Sequence, residues 1–417
     1  MKLRSTLSLF ALCLLATLSS LTASASPPAI STVEEAGALA NEVFERVEGV
    51  AMQARQQGTR DARAAARQPL RSLSLEAAPG IRLTDNAELE HEFSSALWFE
   101  LGPRTRRARQ AWDAAGHAIA LRSDADRWTY VTEAERLFAQ WWAKQAIADH
   151  LQEDLDEVNE ELDRWRETLT AYLSALDLAD ADAEATRLAM EVAEAALEAQ
   201  AAEAAFRAHI AVEVQLALGD TAHDSLHAAG QNNPWRPLLD DVAHHPILRA
   251  MEAEALRHES QAQSQRARNL GLGVGAQARV TEGQNVLLSP TVQLDIPIAR
   301  PNAEDAAIAR AEAIALRAEA NWKATTIHLW LEGEAARHDA LVRATQAIDG
   351  HAVERLRQRL DQLQKALEAG HVNLQRVFWA RRDLHEAMHQ ALLIRAELAA
   401  SEAAAAGVKD LFDRAIR

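Results

Sequence analysis

Twice along this 417-residue chain, a pair of short alternating stretches lies between long segments with the periodicity of an α-helix. Residues 270–280 and 291–298 alternate apolar with small or polar residues, which is the period of two that is typical of β-strands. Residues 70–76 and 93–101 form a weaker pair of the same kind. Each strand can present one apolar face to lipid and one polar or glycine face to a lumen, so the pattern predicts membrane strands rather than a soluble coiled coil.

The order helix, strand, strand, helix occurs once before residue 220 and once after it, which indicates an internal duplication. We predict a signal peptide over 1–25, a first repeat over 26–218, a connector over 219–245 and a second repeat over 246–417. The connector is richer in Gly, Asn, Pro and His than the segments on either side of it.

The helices predicted between these strands are unusually long. The segment from Arg104 to about Ala175 contains no proline, and at 1.5 Å per residue it would form a rod of roughly 100 Å. Polar turns are predicted at 177–182 and 369–371, each joining two helices into a hairpin. The helix before the second turn is predicted from about Asn302 to Glu368.

The first residues have the pattern of an export signal. Lys2 and Arg4 precede an apolar run from Leu7 to Leu21, and Ala23-Ser24-Ala25 forms an A-x-A cleavage site. Cleavage there removes Cys13, the one cysteine of the chain, and therefore excludes disulfides and thiolate chemistry. It also removes two cations, so the net charge falls from −17 to −19, which argues against a nucleic-acid partner.

Four strands are too few to close a barrel around an open lumen. Because unpaired strand edges are not tolerated in lipid, the chain must oligomerise if its strands lie in a membrane. Three copies supply twelve strands, an even number within the range of outer-membrane barrels. Twelve is the smallest number that readily closes around an open lumen, but other numbers are compatible with the sequence. The predicted fold class is therefore mainly α with a small membrane β part: a long α-helical barrel plus four β-strands per subunit, completing a 12-stranded barrel as a trimer.

The sequence contains no motif whose context supports catalysis, and we predict no catalytic residue, no cofactor and no metal site. His385 and His389 lie four residues apart, a spacing that can place two imidazoles on one metal. Without a nearby cysteine, we interpret them as histidines on a helix surface. His244 and His245 are interpreted in the same way, as polar residues of the connector.

Four segments carry a resemblance to a known family. They are Glu100-Leu101-Gly102-Pro103-Arg104, His245-Pro246, the strand pair 270–298 ending in Ile296-Pro297-Ile298, and Ala369-Gly370-His371-Val372-Asn373-Leu374 with the following Arg381-Arg382-Asp383-Leu384. On these segments the mature chain resembles the outer-membrane efflux proteins, the TolC-like family of trimeric channels. The first segment is similar to one common in the branch that serves heavy-metal cation pumps, with Pro103 in place of a glycine.

The resemblance implies a passive duct in the cell outer membrane that extends into the periplasm and meets a periplasmic adaptor and an inner-membrane pump. It places the family's periplasmic constriction, often acidic, at Arg376 and Trp379 of this chain. We therefore hypothesise an arginine-lined constriction. The residues implied in adaptor docking lie at the two hairpin tips: Asp180, Asp182 and Glu184 in the first, and Gly370, His371 and Asn373 in the second.

Two other classes of protein stay open from the sequence. A periplasmic coiled-coil scaffold or adaptor without a membrane barrel would explain the acidic first strand pair, with Glu76 and the loop 84–92. A soluble metal-binding stress protein rests on the histidines alone. The strands distinguish these classes from a membrane channel, because a scaffold does not need a lipid-facing apolar row. Such a row is formed by Val292, Leu294, Ile296 and Ile298.

Overall fold

The computed structural model describes residues 29–66, 70–82, 88–101, 103–168, 175–218, 232–267, 270–281, 286–295, 303–348 and 352–416. The predicted signal peptide over 1–25 and the strand-end residues Ile296 and Ile298 lie outside these ranges.

Within the described residues the chain is mainly helical, and the predicted fold class of long helices with a small β part is confirmed. The elements in chain order are β1 (Ala29–Ile30), α1 (Val33–Ala65), β2 (Leu70–Arg82), β3 (Glu88–Leu101), α2 (Pro103–Thr168), α3 (Ala175–Ile210), β4 (Gln215–Leu216), α4 (Pro246–Arg266), β5 (Leu270–Thr281), β6 (Val286–Asp295), α5 (Ala303–Ala347), α6 (Val353–Glu368) and α7 (Leu374–Ile416). No helix in the described part of the chain is long and apolar enough to cross a lipid bilayer.

The described residues divide into two compact units. Unit 1 contains those within 1–40, 133–230 and 341–400, and unit 2 contains those within 41–132, 231–340 and 401–417. Each unit therefore includes segments from both predicted repeats.

Helix α1 begins at a capping box. The Thr32 hydroxyl accepts a hydrogen bond from the Glu35 backbone N–H at 3.1 Å, and the Glu35 carboxylate accepts from the Thr32 backbone N–H at 3.2 Å. This reciprocal pair satisfies two backbone donors that a helix N-terminus otherwise leaves unbonded. Thr32 is therefore the N-cap of this helix.

The first predicted hairpin turn is wrong. Residues 177–182 lie within α3, which begins at Ala175, and α2 ends at Thr168. The sequence over 177–182 has no glycine or proline to stop a helix. Ala181 within it is fully buried in the core of unit 1.

The segment predicted as a helix from about Asn302 to Glu368 contains two described α-helices. Helix α5 ends at Ala347 and α6 begins at Val353. The last helix, α7, continues to Ile416.

A short parallel strand pairing follows helix α3. Helix α3 stops at Ile210, and Ala211 adopts a φ of 55°. The chain then continues to β4, which pairs with β1. Ile30, Ile210 and Val214 are fully buried there, so the beginning of the described chain is held against the end of α3.

The predicted connector contributes to the core of unit 2. Trp235 and Leu238 are buried, and they pack with Leu331 of α5 and with Val408 and Phe412 of α7. A connector that is polar in composition therefore contains an apolar anchor. At its end, His245 caps α4 by accepting the Ile247 backbone N–H at its Nδ1, 3.2 Å away.

Glu135 of α2 carries a carboxyl group whose pKa is raised to about 7, first by burial and then by the nearby charge of Glu34. Its side chain lies over Gly37 of α1, where an added Cβ would be 2.2 Å from Glu135 Oε1. In the folded chain this carboxyl is therefore largely protonated below neutral pH.

We predict that Glu135→Gln stabilises the protein at pH 8 by about 2–3 kcal/mol and changes its stability little at pH 4. The folded state binds the Glu135 proton more tightly than the unfolded state, so this residue lowers stability as pH rises through the interval between about 4.5 and about 7. Urea unfolding at both pH values measures the effect. Glu133→Gln is the control, because the hydrogen bond from Arg136 lowers the pKa of Glu133. Equal stability of Glu135→Gln and the parent at pH 8 would contradict the prediction.

Candidate functional site

Strands β2, β3, β5 and β6 form an antiparallel sheet in unit 2, in the order β2-β3-β5-β6. Each predicted strand candidate overlaps one of them. Strand β3 comes from the first half of the chain and β5 from the second, and their register places Leu97 opposite Val274. The two halves are therefore joined edge to edge in one sheet.

One face of this sheet is apolar and exposed. On β6 every second residue is apolar, and Val292 and Leu294 are 71% and 58% exposed. The register continues the face from Val292 to Val274 on β5 and to Leu97 on β3. A contiguous exposed apolar face of this kind marks an interaction surface for lipid or protein.

The other face combines small and polar residues, and it also carries Leu287 of β6, which is 64% exposed. On β6 it carries Ser289, Thr291 and Gln293, and on β5 it carries Gly273 and Gly275. The glycines leave room for β3: a Cβ at Gly275 would lie 1.9 Å from the Ser95 carbonyl oxygen, and one at Gly273 would lie 3.2 Å from the Trp98 ring. Glycine is therefore required at Gly275 by the close approach of the neighbouring backbone.

Strands β2 and β6 are the two edges of the sheet, and among the described residues neither has a strand on its outer side. Unpaired N–H and C=O groups cost several kcal/mol each in lipid. A membrane location of the apolar face therefore requires other copies of the chain to cover both edges.

The turn between α6 and α7 lies where the Ala369-Gly370 pattern predicts it. The His371 N–H donates to the Ala366 carbonyl at 2.8 Å, and the Gly370 N–H donates to the Leu367 carbonyl at 2.9 Å. These two bonds form a Schellman motif, in which Gly370 takes the left-handed position with a φ of 72°. Gly370, His371 and Asn373 are exposed, as a docking surface requires.

Arg376 and Trp379, the predicted constriction residues, lie one turn apart on the first turns of α7 and are both exposed. Trp379 is 57% exposed, whereas Val377 and Phe378 beside it are buried in the core of unit 1. A large exposed aromatic side chain next to an arginine is a composition enriched at protein interfaces.

The acidic residues predicted at the first tip lie on the first turns of α3. Asp180 and Asp182 are exposed, and Asp182 forms an ion pair with Arg166 of α2. Glu184 forms an ion pair with Arg187 on the same helix. The structure therefore places these three residues on a helix surface rather than in a loop.

A buried ion pair near the second turn was not predicted as a site. Arg381 of α7 is buried and donates to Glu161 Oε2 of α2 at 3.0 Å, while Gln364 of α6 donates to Glu161 Oε1 at 3.0 Å. Burial raises the pKa of Glu161, although the Arg381 charge opposes the rise. Glu161 thus joins three helices of unit 1. The Arg381 motif is visible in the sequence, but Glu161, its partner, lies 220 residues away.

The interpretation of His385 as a surface histidine is wrong, because it is buried. Its Nε2 contacts Asp154 Oδ2 of α2, and ligand atoms of His150, Asp154 and His385 all lie within 4.8 Å of one another. By contrast, His245 is used as a helix cap, and burial lowers its pKa to about 4.

Solved structures with the same fold are bacterial membrane channels. A CusC structure, described for its transmembrane channel formation, has a TM-score of 0.70 at 16% identity over 93% of this chain and 95% of its own. The open outer-membrane channel MtrE of Neisseria gonorrhoeae has a TM-score of 0.63 at 15% identity. The match covers 90% of this chain and 88% of MtrE. The outer-membrane protein VceC of Vibrio cholerae has a TM-score of 0.62 at 14% identity. The match covers 89% of this chain and 96% of VceC.

At these identities the likeness shows the fold. The chain has the fold of the TolC-like outer-membrane channels, and the resemblance found in the sequence is confirmed at that level. No family model matches the sequence, and no curated protein sequence was found to be similar to it.

Proposed function

We propose that this chain is the outer-membrane channel component of a tripartite efflux system. It would act as a passive duct from a periplasmic adaptor and an inner-membrane pump to the exterior, and it would perform no catalytic step. Three copies would supply twelve strands to one barrel, with the helices extending into the periplasm. In this proposal residues 1–25 are the signal peptide, and 26–218 and 246–417 are two repeats joined by the connector 219–245.

The observation that carries the proposal is the exposed apolar face of an open four-stranded sheet. Val274, Val292 and Leu294 lie on that face, and the strands that hold them have mostly small and polar residues on the other. Such a sheet fits a barrel wall between lipid and a lumen, and its two edges fit neighbouring subunits. A periplasmic scaffold would leave this face in water.

Outer-membrane fractionation followed by mass determination in detergent tests the proposal. A trimer extracted from outer membranes is the expected result. A periplasmic species of any other stoichiometry that needs no detergent would overturn the duct and favour the coiled-coil scaffold or adaptor.

We further propose that the two hairpins dock the adaptor. At the second hairpin the exposed residues are Gly370, His371 and Asn373. At the first hairpin, the proposed docking region lies at the end of α2 and the start of α3. Asp180 and Asp182 are exposed there, and Glu184 follows them in α3. The exported substrate implied by the segment Glu100-Leu101-Gly102-Pro103-Arg104 is a metal cation.

Arg376 would form a ring of three positive charges at the periplasmic constriction of the trimer, next to Trp379. We predict that Arg376→Asp shifts the channel toward cations, because the substitution replaces three positive charges with three negative ones at a narrow passage. Two unit charges about 4 Å apart in water interact by ~1 kcal/mol, so the cation/anion permeability ratio should rise at least about fivefold. Reversal potentials in planar bilayers measure this ratio.

Arg382→Asp is the matched control for that measurement. Arg382 is also an exposed arginine of α7, and it lies six residues further along, on a different face of the helix. An unchanged permeability ratio in Arg376→Asp, or an equal shift in Arg382→Asp, would contradict the arginine-lined constriction.

A further inference from the structure

Two pairs of metal-ligating side chains face each other within unit 1. His150 and Asp154 lie four residues apart on α2, and His385 and His389 lie four apart on α7. A spacing of four places both members of each pair on one side of their helix. The two helices pack together in the core of this unit, where Leu151 and Leu384 belong to one apolar cluster.

The ligand atoms converge to nearly the spacing that a metal ion needs. Ligand atoms of His150, Asp154 and His385 lie within 4.8 Å of one another. Ligands about 2.0–2.1 Å from a tetrahedral zinc ion are ~3.4 Å apart, so small side-chain rotations bring the three onto one ion. The rings of His150 and His385 already meet edge to face, with centroids 5.6 Å apart.

Several polar atoms of this cluster are buried without a hydrogen bond among the described residues. They are His150 Nε2, Asp154 Oδ2 and His389 Nε2. Asp154 Oδ2 has only its ion-pair contacts, one to His385 Nε2 and one to His150 Nε2 at 3.5 Å. Buried polar atoms are rarely left unbonded, and one cation coordinated by these groups would satisfy them together.

The chemistry of these side chains also suits a metal. Imidazole nitrogens and carboxylate oxygens are among the ligands that bind zinc in proteins.

We propose that His150, Asp154 and His385, with His389 as the fourth ligand, bind one Zn²⁺ ion that joins α2 to α7. This site goes beyond the duct function and does not depend on it. Zinc would link the two repeats of the chain through two ligands from each helix, and it would stabilise the packing of unit 1.

Zinc titration of the purified, metal-free full-length chain in detergent, followed by calorimetry, tests the proposal. We expect one Zn²⁺ per chain and a thermal midpoint that rises by about 3–6 °C at a large excess of zinc over its dissociation constant. Bound Co²⁺ should give the visible absorption of tetrahedral coordination. His385→Ala should weaken zinc binding at least about tenfold and remove the thermal shift.

Asp154→Asn is the second variant, since it keeps the size of the side chain and removes the charged ligand. His328→Ala is the matched control, because His328 also lies four residues before a carboxylate, Glu332, but on an exposed helix surface. Failure to bind zinc stoichiometrically would overturn the site, as would wild-type affinity in Asp154→Asn or His385→Ala. The first result would leave the cluster as a buried His–Asp contact, and the second would show that zinc binds elsewhere on the chain.

Discussion

Replacing Val292 and Leu294 together with lysine is expected to abolish assembly in the outer membrane. Both side chains are exposed on the apolar face of β6. A lysine on the lipid face of a barrel costs ~2–4 kcal/mol near the bilayer midplane, and three subunits would repeat that cost. The trimer recovered from outer membranes should therefore fall to background, as measured by fractionation and mass in detergent.

Thr291→Lys with Gln293→Lys is the matched control. These two positions alternate with Val292 and Leu294 on the same strand and lie on its opposite face. Lysines there would point toward the lumen, so assembly should be retained. If the two double variants behaved alike, the assignment of the apolar face to lipid would be wrong.

The second large effect is expected from Trp235→Ala, which should destabilise the protein by about 3–5 kcal/mol. Trp235 is 1% exposed, and its ring meets Trp330 edge to face with centroids 5.5 Å apart. Its Nε1–H donates to Ser401 Oγ at 3.0 Å. Truncation leaves a cavity among large apolar side chains and removes the partner of a buried hydroxyl. Urea unfolding followed by circular dichroism measures the loss.

Ser401→Ala separates the hydrogen bond from the packing of the ring. It removes only the acceptor and should cost about 1–3 kcal/mol, because the buried Trp235 N–H then lacks a partner. A loss below about 1 kcal/mol in Trp235→Ala would show that the connector does not anchor unit 2.

The candidate sites were predictable from the sequence to different extents. Gly370 was expected at a turn because its neighbours form a pattern of a few residues, and the structure places a left-handed glycine there. The zinc cluster was not predicted, because His150 and His385 are 235 residues apart, and only the spacing of four within each pair is visible in the sequence. Whether the two pairs meet depends on how α2 packs against α7.

What the sequence determined by itself were features with a local cause. The alternation along β5 and β6 and the turn at Ala369-Gly370 each depend on residues within a few positions of one another. Such patterns predict the elements because propensity, capping and side-chain alternation act over one or two turns or a few strand positions.

Tertiary structure decided where distant segments meet. It set the register of β3 on β5, buried Trp235 of the connector, paired Glu161 with Arg381 and gathered the histidines around Asp154. It also decided that residues 177–182 belong to a helix, where Ala181 is fully buried against the core of unit 1. These outcomes depend on burial and partners far along the chain, which leave no period in the sequence.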